Sequence, residues 1–255
     1  MALFCVDIGN TNILMGLYQG SELVTHWRIA TDHQKMADEY AMLILNLFER
    51  SDQAPESVEG VIIASVVPPL TGIFEKLSRR YFRRTAFVVG DSIDAGVPVR
   101  YDNPAEVGAD RVVNAVAACH HYGSPACVVD FGTATTFDAL SVDGEYVGGA
   151  IAPGIGIAAE ALFRRTSKLP RIDLALPPGV IGKNTVHSMQ SGIVFGYVGL
   201  VDGLVRRLAS EMEDEVSVIA TGGLARLIEP ESETIEEVDD FLTLEGLRLI
   251  YLRNV

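Results

Sequence analysis

The sequence predicts an α/β protein built as two similar halves, and three observations carry that expectation. Two strand-like runs each end in an Asp-x-Gly loop followed by polar side chains. Leu3-Phe4-Cys5-Val6 leads into Asp7-Ile8-Gly9-Asn10-Thr11-Asn12, and Val128-Val129 leads into Asp130-Phe131-Gly132-Thr133-Ala134-Thr135-Thr136. The second aspartate follows the first by 123 residues in a chain of 255. Each loop continues into an apolar run and a turn, Gln19-Gly20 and Asp143-Gly144, at Asp-to-turn distances that differ by one residue.

Such a loop suits a phosphate. Glycine lets backbone N–H groups approach an anion, hydroxyls add donors, and the aspartate can hold a cation that the phosphate shares. An ordinary strand and turn with a polar tip explains either loop alone equally well; the duplication favours phosphate. Two such hairpins imply two α/β halves facing each other across a cleft, with a polyphosphate between the loops. This resembles the fold shared by actin, hexokinase and Hsp70-type ATPases, two ribonuclease H-like half-domains that each supply one phosphate loop. The expected halves are residues 1–117 and 118–255, the second carrying a long helix.

With 48% hydrophobic residues the chain can bury a sizeable core. A net charge of −14 and the lack of a long Lys/Arg cluster speak against a nucleic-acid partner. The densest basic patch, Arg79-Arg80 and Arg83-Arg84, reads as a solvated helix end. Cys5, Cys119 and Cys127 lie in apolar settings with no C-x-x-C pair, which predicts buried thiols in a reducing cytoplasm. Proline and glycine break the longest apolar runs, and Ala2 to Val6 is too short for a signal segment, so no membrane span or targeting segment is expected.

In chain order, strands are expected over Ile13 to Tyr18 and Glu22 to Ile29. Met36, Tyr40, Leu43, Ile44, Leu47 and Phe48 then recur at helical spacing. Val61 to Ala64 reads as a buried strand, Pro68-Pro69 as the entry to a helix up to about Arg80, and Ala86 to Val89 as a further strand. The order βββαβαβ is that of an actin-like half. Asn103, Pro104 and Glu106 form a helix-start pattern with Asn as cap, which Gly108 interrupts before a helix from Ala109 to His121. Asp110 then lies near a helix N-terminus, where spacing alone favours a capping carboxylate paired with Arg111 over a chemical role.

In the second half, Gly148 to Gly156 reads as a turn with close backbone approach, Ala158 to Arg164 as a helix, and Ser167 to Gly182 as a loop over the cleft. Gly182-Lys183-Asn184-Thr185 is not a Walker A loop, because Gly179 is too close and no strand precedes it. Asn184 or Thr185 opens a helix to about Met212 that carries Gly192, Gly196, Gly199 and Gly203. Interior glycines cost about 1 kcal/mol each, so this smooth stripe implies either an intimate contact within the chain or a subunit interface. Val216 to Ala220 is a strand running into the turn Thr221-Gly222-Gly223. The acidic run Glu229 to Asp240 reads as a solvated face, and Leu244 to Leu252 as an apolar closing helix.

Five segments together look like the type III pantothenate kinase family: Asp7 to Asn12, Tyr101 to Arg111, Asp130 to Thr136, Gly182 to Gly192, and Thr221 to Gly223. The resemblance implies ATP-dependent phosphorylation of pantothenate to 4'-phosphopantothenate, the first step of coenzyme A synthesis, by a cytoplasmic homodimer. It also implies magnesium with ATP and a monovalent cation, potassium or ammonium. On this resemblance Asp7, Ile8, Gly9, Asn10, Thr11, Asn12 and Thr133 bind ATP, with Asp7 oriented toward its metal. Asp130 holds the monovalent cation. Tyr101, Gly108, Ala109, Asp110, Arg111 and Thr185 enclose pantothenate, and Asp110 is the general base. Two other readings stay open. Another small-molecule kinase of the same fold is disfavoured by Tyr101 to Arg111, and a non-catalytic ATP-binding regulator by the joint presence of Asp110, Asp130 and Thr185.

Overall fold

The computed structural model describes residues 1–90, 93–212 and 215–255. In chain order the strands and α-helices are β1 (Ala2–Ile8), β2 (Asn12–Gln19), β3 (Glu22–Ala30), α1 (Ala37–Arg50), β4 (Val58–Ser65), α2 (Pro68–Leu77), β5 (Phe87–Val88), α3 (Ala109–His121), β6 (Ala126–Phe131), β7 (Ala134–Leu140), β8 (Tyr146–Pro153), α4 (Ile155–Arg165), α5 (Thr185–Met212), β9 (Ser217–Thr221), α6 (Ala225–Ile228), β10 (Glu237–Val238) and α7 (Leu242–Arg253). They form two compact units. The first holds residues 1–98, 102–117 and 242–255; the second holds 99–101 and 118–241.

The first unit is built on a sheet of order β3-β2-β1-β4-β5. The first three strands are antiparallel neighbours, and β4 and β5 add in parallel. Period-two alternation sends Phe4, Val6 and Ile8 of β1 to one face, where Tyr40, Ile44 and Phe48 of α1 and Leu70 and Phe74 of α2 cover them. Phe4 packs edge-on against Phe48 at 5.3 Å and Trp27 stacks on Phe48 at 5.0 Å, centroid to centroid. After α2 the chain widens into a π-helical segment, Ser78–Phe82. Arg80 there pairs with Asp38, so this basic patch is in part tied to α1.

Strand alternation leaves Leu3, Cys5 and Asp7 on the opposite face, and α7 covers it. Leu244 fits where Gly16 of β2 has no side chain, Tyr251 does the same at Gly60 of β4, and Gly246 lies against the Val113 carbonyl of α3. The division after residue 117 therefore needs two corrections, the first being that residues 99–101 fall in the second unit. The second is that the closing helix belongs to the first unit, because its apolar side and its Glu245–Arg248 pair cover this bare face of the first sheet.

The second unit repeats the plan. Its sheet has the order β10-β9-β6-β7-β8, with β6, β7 and β8 antiparallel and β9 and β10 added in parallel. Cys127, Val129, Phe131 and Phe137 meet Ile193, Val194, Tyr197, Val201 and Val205 of α5. By length and composition α5 could cross a membrane, but half of its apolar window is buried, as in the core helix of a globular protein. The stripe glycines Gly192, Gly196 and Gly199 have no atom within 4 Å of where a Cβ would stand, so their face makes no close packing within the described residues. Among the described residues, contact within the chain does not account for the stripe at these three positions.

Three local expectations also change. Gly148 to Pro153 lies within β8 rather than forming a turn, although the close approach is real: a Cβ on Gly149 would overlap the Phe137 carbonyl. The acidic run is not only a solvated face. It contains β10, and Asp202 of α5 anchors its start by accepting hydrogen bonds from Ser232 at 2.6 Å and Thr234 at 2.8 Å. The Asn103 side chain does not cap a helix but donates to Glu106 Oε1 at 2.8 Å, and a short 3-10 turn spans Pro104–Glu106.

Candidate active site

In the first unit, the Asp7 loop joins β1 to β2. The Gly9 N–H closes the turn on the Asn12 carbonyl at 3.0 Å, while Asn10, Thr11 and Asn12 stay exposed. Thr31 braces the loop from β3, its hydroxyl donating to the Gly9 carbonyl at 2.6 Å and its N–H to the Thr11 carbonyl at 2.9 Å. Sequence reading missed Thr31, because its role depends on strand pairing that brings Asn12 opposite Ala30.

The Asp110 turn lies at the same end of this sheet. Val66, just past β4, donates its N–H to the Ile8 carbonyl at 3.1 Å, and its Cγ1 stands 3.5 Å from where a Cβ on Gly108 would be. The Gly108 carbonyl accepts the Arg111 and Val112 N–H groups at 3.1 and 3.3 Å, which starts α3. Asp110 Oδ1 accepts the Arg111 N–H at 2.8 Å. Burial pushes the Asp110 carboxyl above its ordinary range, opposed by that N–H and by the Arg111 charge. Arg111 itself is buried. Asp7, Ile8, Gly9 and Gly108 to Arg111 are thus drawn together through Val66, a residue without a chemical group to betray it in the sequence.

In the second unit, Asp130 precedes the turn Gly132-Thr133 between β6 and β7, half-buried and opposite Thr136 and Thr221 in the sheet. Two glycines make room for its carboxylate. A Cβ on Gly222 would stand 2.5 Å from Oδ1, and one on Gly132 would stand 3.5 Å away. Gly222 also has φ +90, which a side chain would strain. Below the turn, Thr135 is fully buried, and its hydroxyl has no hydrogen-bond partner among the described residues. A half-buried carboxylate in a glycine cradle is a ligand that fits a hard cation shared with a phosphate, whereas Thr135, opposite Phe131 in the sheet, lies on the other face, the one that α5 covers. Among the described residues no three His, Cys, Asp or Glu side chains converge as a metal cluster.

Thr185 stands at the exposed start of α5, after Asn184, which caps the helix by accepting the His187 N–H at 2.9 Å. The loop before it is bound to α5, with Gln190 donating to the Asp173 carbonyl and Ser191 to the Val180 carbonyl. Between α4 and α5 lies a groove of about 820 Å³, lined by Leu162, Leu169, Lys183, Thr185, Met189 and Tyr197 among others. Tyr197 links it toward the second loop: its hydroxyl donates to the Pro153 carbonyl at 2.7 Å, and the next residue, Gly154, lies against the Thr133 carbonyl. Tyr101 belongs to this unit, beside Tyr146.

Each unit therefore carries a five-stranded sheet of one topology with an Asp-x-Gly loop at the end of its central strand. Solved structures with this arrangement include an archaeal actin homologue, 14% identical with a TM-score of 0.57 over all of both chains. Another is a Campylobacter jejuni protein assigned to the Baf family of transcriptional activators, 16% identical with a TM-score of 0.62 over 98% of each chain. Topology and these neighbours give the protein the actin-like fold. Residues 3–207 match the model of the type III pantothenate kinase family. Enzymes of that name from Citrifermentans bemidjiense and Geobacter sulfurreducens are 58% and 56% identical over 99% of this chain and 99% of their own. One from Halalkalibacterium halodurans is 53% identical over 99% of this chain and its own full length. The chain belongs to the type III pantothenate kinase family.

Proposed function

We infer that this protein transfers the γ-phosphoryl group of ATP to pantothenate, the entry reaction of coenzyme A synthesis. The observation that carries this reading is the Asp110 turn, held beside the Asp7 loop by Val66, in a chain more than half identical to named pantothenate kinases over nearly its whole length. A bond forms from the pantothenate hydroxyl oxygen to the γ-phosphorus, the bond from that phosphorus to the β–γ bridging oxygen breaks, and Asp110 takes the hydroxyl proton. A carboxylate with a raised pKa is the better proton acceptor, and burial supplies that rise.

The remaining roles follow the family resemblance. Backbone and side chains of Asp7 to Asn12 meet the ATP phosphates from the first unit, and Thr133 binds the nucleotide from the second. Tyr101, Gly108 to Arg111 and Thr185 enclose pantothenate. Magnesium on ATP, with Asp7 oriented toward it, and potassium or ammonium at Asp130 would supply charge neutralisation when bound. The working form is a cytoplasmic homodimer. The exposed glycine face of α5, unpacked by its own chain, supports the dimer, and three cysteines with no disulfide suit a reducing compartment. Purified protein given ATP, magnesium, potassium and pantothenate should release ADP and 4'-phosphopantothenate. Nucleotide binding without turnover would instead favour the regulator, and turnover of another small alcohol alone would favour a sister kinase.

A further inference from the structure

The motif that contains Tyr101 does not say what holds that side chain in place. Val99 bridges Tyr146, the first residue of β8, in parallel register, and the Arg100 N–H donates to the Tyr146 carbonyl at 2.8 Å. The Arg100 guanidinium then closes over the neighbouring residue, with Nε and Nη2 at 3.0 and 2.7 Å from Glu145 Oε1. The Tyr101 ring lies 6.4 Å from the Tyr146 ring, centroid to centroid, and faces Gly148, where a Cβ would meet its Cε2 at 3.7 Å. Tyr146 offers a rigid base: it is fully buried, and its hydroxyl donates to Asp138 Oδ1 at 2.9 Å. Val99 to Tyr101 is therefore a short strand-like edge laid along β8, pinned by backbone bonds at its start and by one ion pair in its middle, with Tyr101 38% exposed at its end.

We propose that Glu145 is a positioning residue for the acceptor substrate, acting through Arg100 to hold the Tyr101 ring in the orientation that meets pantothenate. The proposal rests on the reading that the protein phosphorylates pantothenate and that Tyr101 touches it. The ion pair lies at the surface, with side-chain exposures of 65% for Arg100 and 25% for Glu145. Such a pair adds little to folding stability, so its loss should be read in substrate recognition rather than in unfolding. Gly148 matters to the same geometry, because any side chain there would crowd the ring that the pair aligns.

The test is steady-state kinetics on Glu145→Gln, with Tyr101→Ala as reference and Arg100→Glu/Glu145→Arg as rescue. Glu145→Gln should raise the KM for pantothenate about fivefold, the effect expected of one exposed ion pair. The ATP KM, kcat and thermal midpoint should stay near wild type, and the charge-swapped double variant should recover most of the lost pantothenate affinity. If Tyr101→Ala raises the pantothenate KM and Glu145→Gln does not, the positioning role is overturned and the functional reading stands. A fall in kcat and in both affinities together with the melting temperature would mark the pair as merely structural and also overturn it. A wild-type protein that fails to phosphorylate pantothenate, or a Tyr101→Ala variant that binds it normally, would remove the reading beneath the proposal.

Discussion

The carboxylate of Asp110 occupies the space that a side chain at Gly108 would need: a Cβ built there would stand 2.5 Å from Oδ1. Gly108→Ala should therefore push the proposed base aside while leaving the Asp7 loop untouched. Displacing a reacting group by about 1 Å can cost about a hundredfold in rate. We expect kcat to fall by at least tenfold, on the same principle, with nucleotide affinity retained. Wild-type kcat in Gly108→Ala would show that the close approach has no catalytic meaning.

Asp110→Asn should lose activity and gain stability. Loss of a general base costs about 10² to 10⁴ in rate. The folded-state pKa of Asp110 is raised above its unfolded value by burial, so its favourable contribution to folding is complete below the unfolded pKa and is lost as pH rises through the folded one. At neutral pH the charged carboxylate weakens the fold, and the amide relieves that. The melting temperature at pH 7 should rise above wild type while turnover disappears. In the wild-type enzyme kcat should fall on acidification at a higher pH than an unperturbed aspartate would give. A stable variant with more than about a tenth of wild-type turnover, outside the range for a base, would reassign the base.

Asp130→Ala should abolish activation by potassium or ammonium together with most of the activity. A carboxylate close to a phosphate is repulsive unless a cation lies between them. Wild-type rates compared in potassium, ammonium and sodium decide the matter, since full activity in sodium alone would leave Asp130 without the proposed partner.

Gly196→Leu should yield a monomer whose own fold is intact. Among the described residues nothing beyond the neighbouring helix backbone lies within 4 Å of a Cβ at that position, and replacing a helical glycine by leucine gains roughly 0.8 kcal/mol. A partner helix packed on the stripe would be pushed away, since overpacking costs about 1 to 3 kcal/mol at each of two symmetric sites. Sedimentation should show the monomer, with pantothenate phosphorylation reduced and ATP binding kept. A dimeric, fully active variant would move the seam elsewhere.

Gly246→Ala tests the docking of α7. Helix propensity alone favours alanine by about 1 kcal/mol, yet a Cβ here would overlap the Val113 carbonyl of α3. The backbone cannot yield as a flexible side chain can, so a loss of about 1 to 3 kcal/mol is expected. An unchanged or raised denaturation midpoint would show that α7 packs less closely.

Both Asp-x-Gly loops were legible in the sequence because a strand, an aspartate and a glycine turn are local, and because the chain repeats them 123 residues apart. That same repeat anticipated the duplicated strand order, since pairing of neighbouring strands follows from short connections. The start of α5 at Asn184 or Thr185 and Gly108 ahead of α3 were likewise readable from a few adjacent residues. The identities of Tyr101, Asp110 and Thr185 could be picked out only because their surrounding residues resemble a known family, as spacing alone left Asp110 a plausible cap.

What the tertiary structure decided is which distant surfaces meet. Amphipathic spacing marks one side of α7 as apolar, but that pattern cannot name the sheet it will cover; Gly16, Gly60 and the Val113 carbonyl select the first unit by offering room for Leu244, Tyr251 and Gly246. Thr31 and Val66 tie the Asp7 loop to one end of a sheet through hydrogen bonds that exist only once the strands pair, and Val66 brings the Asp110 turn there by packing at Gly108. Arg100 and Glu145 are 45 residues apart and look like ordinary surface charges until β8 brings them together. A sequence carries local preference and periodicity directly, whereas long-range complementarity depends on shapes that form only when the chain has folded.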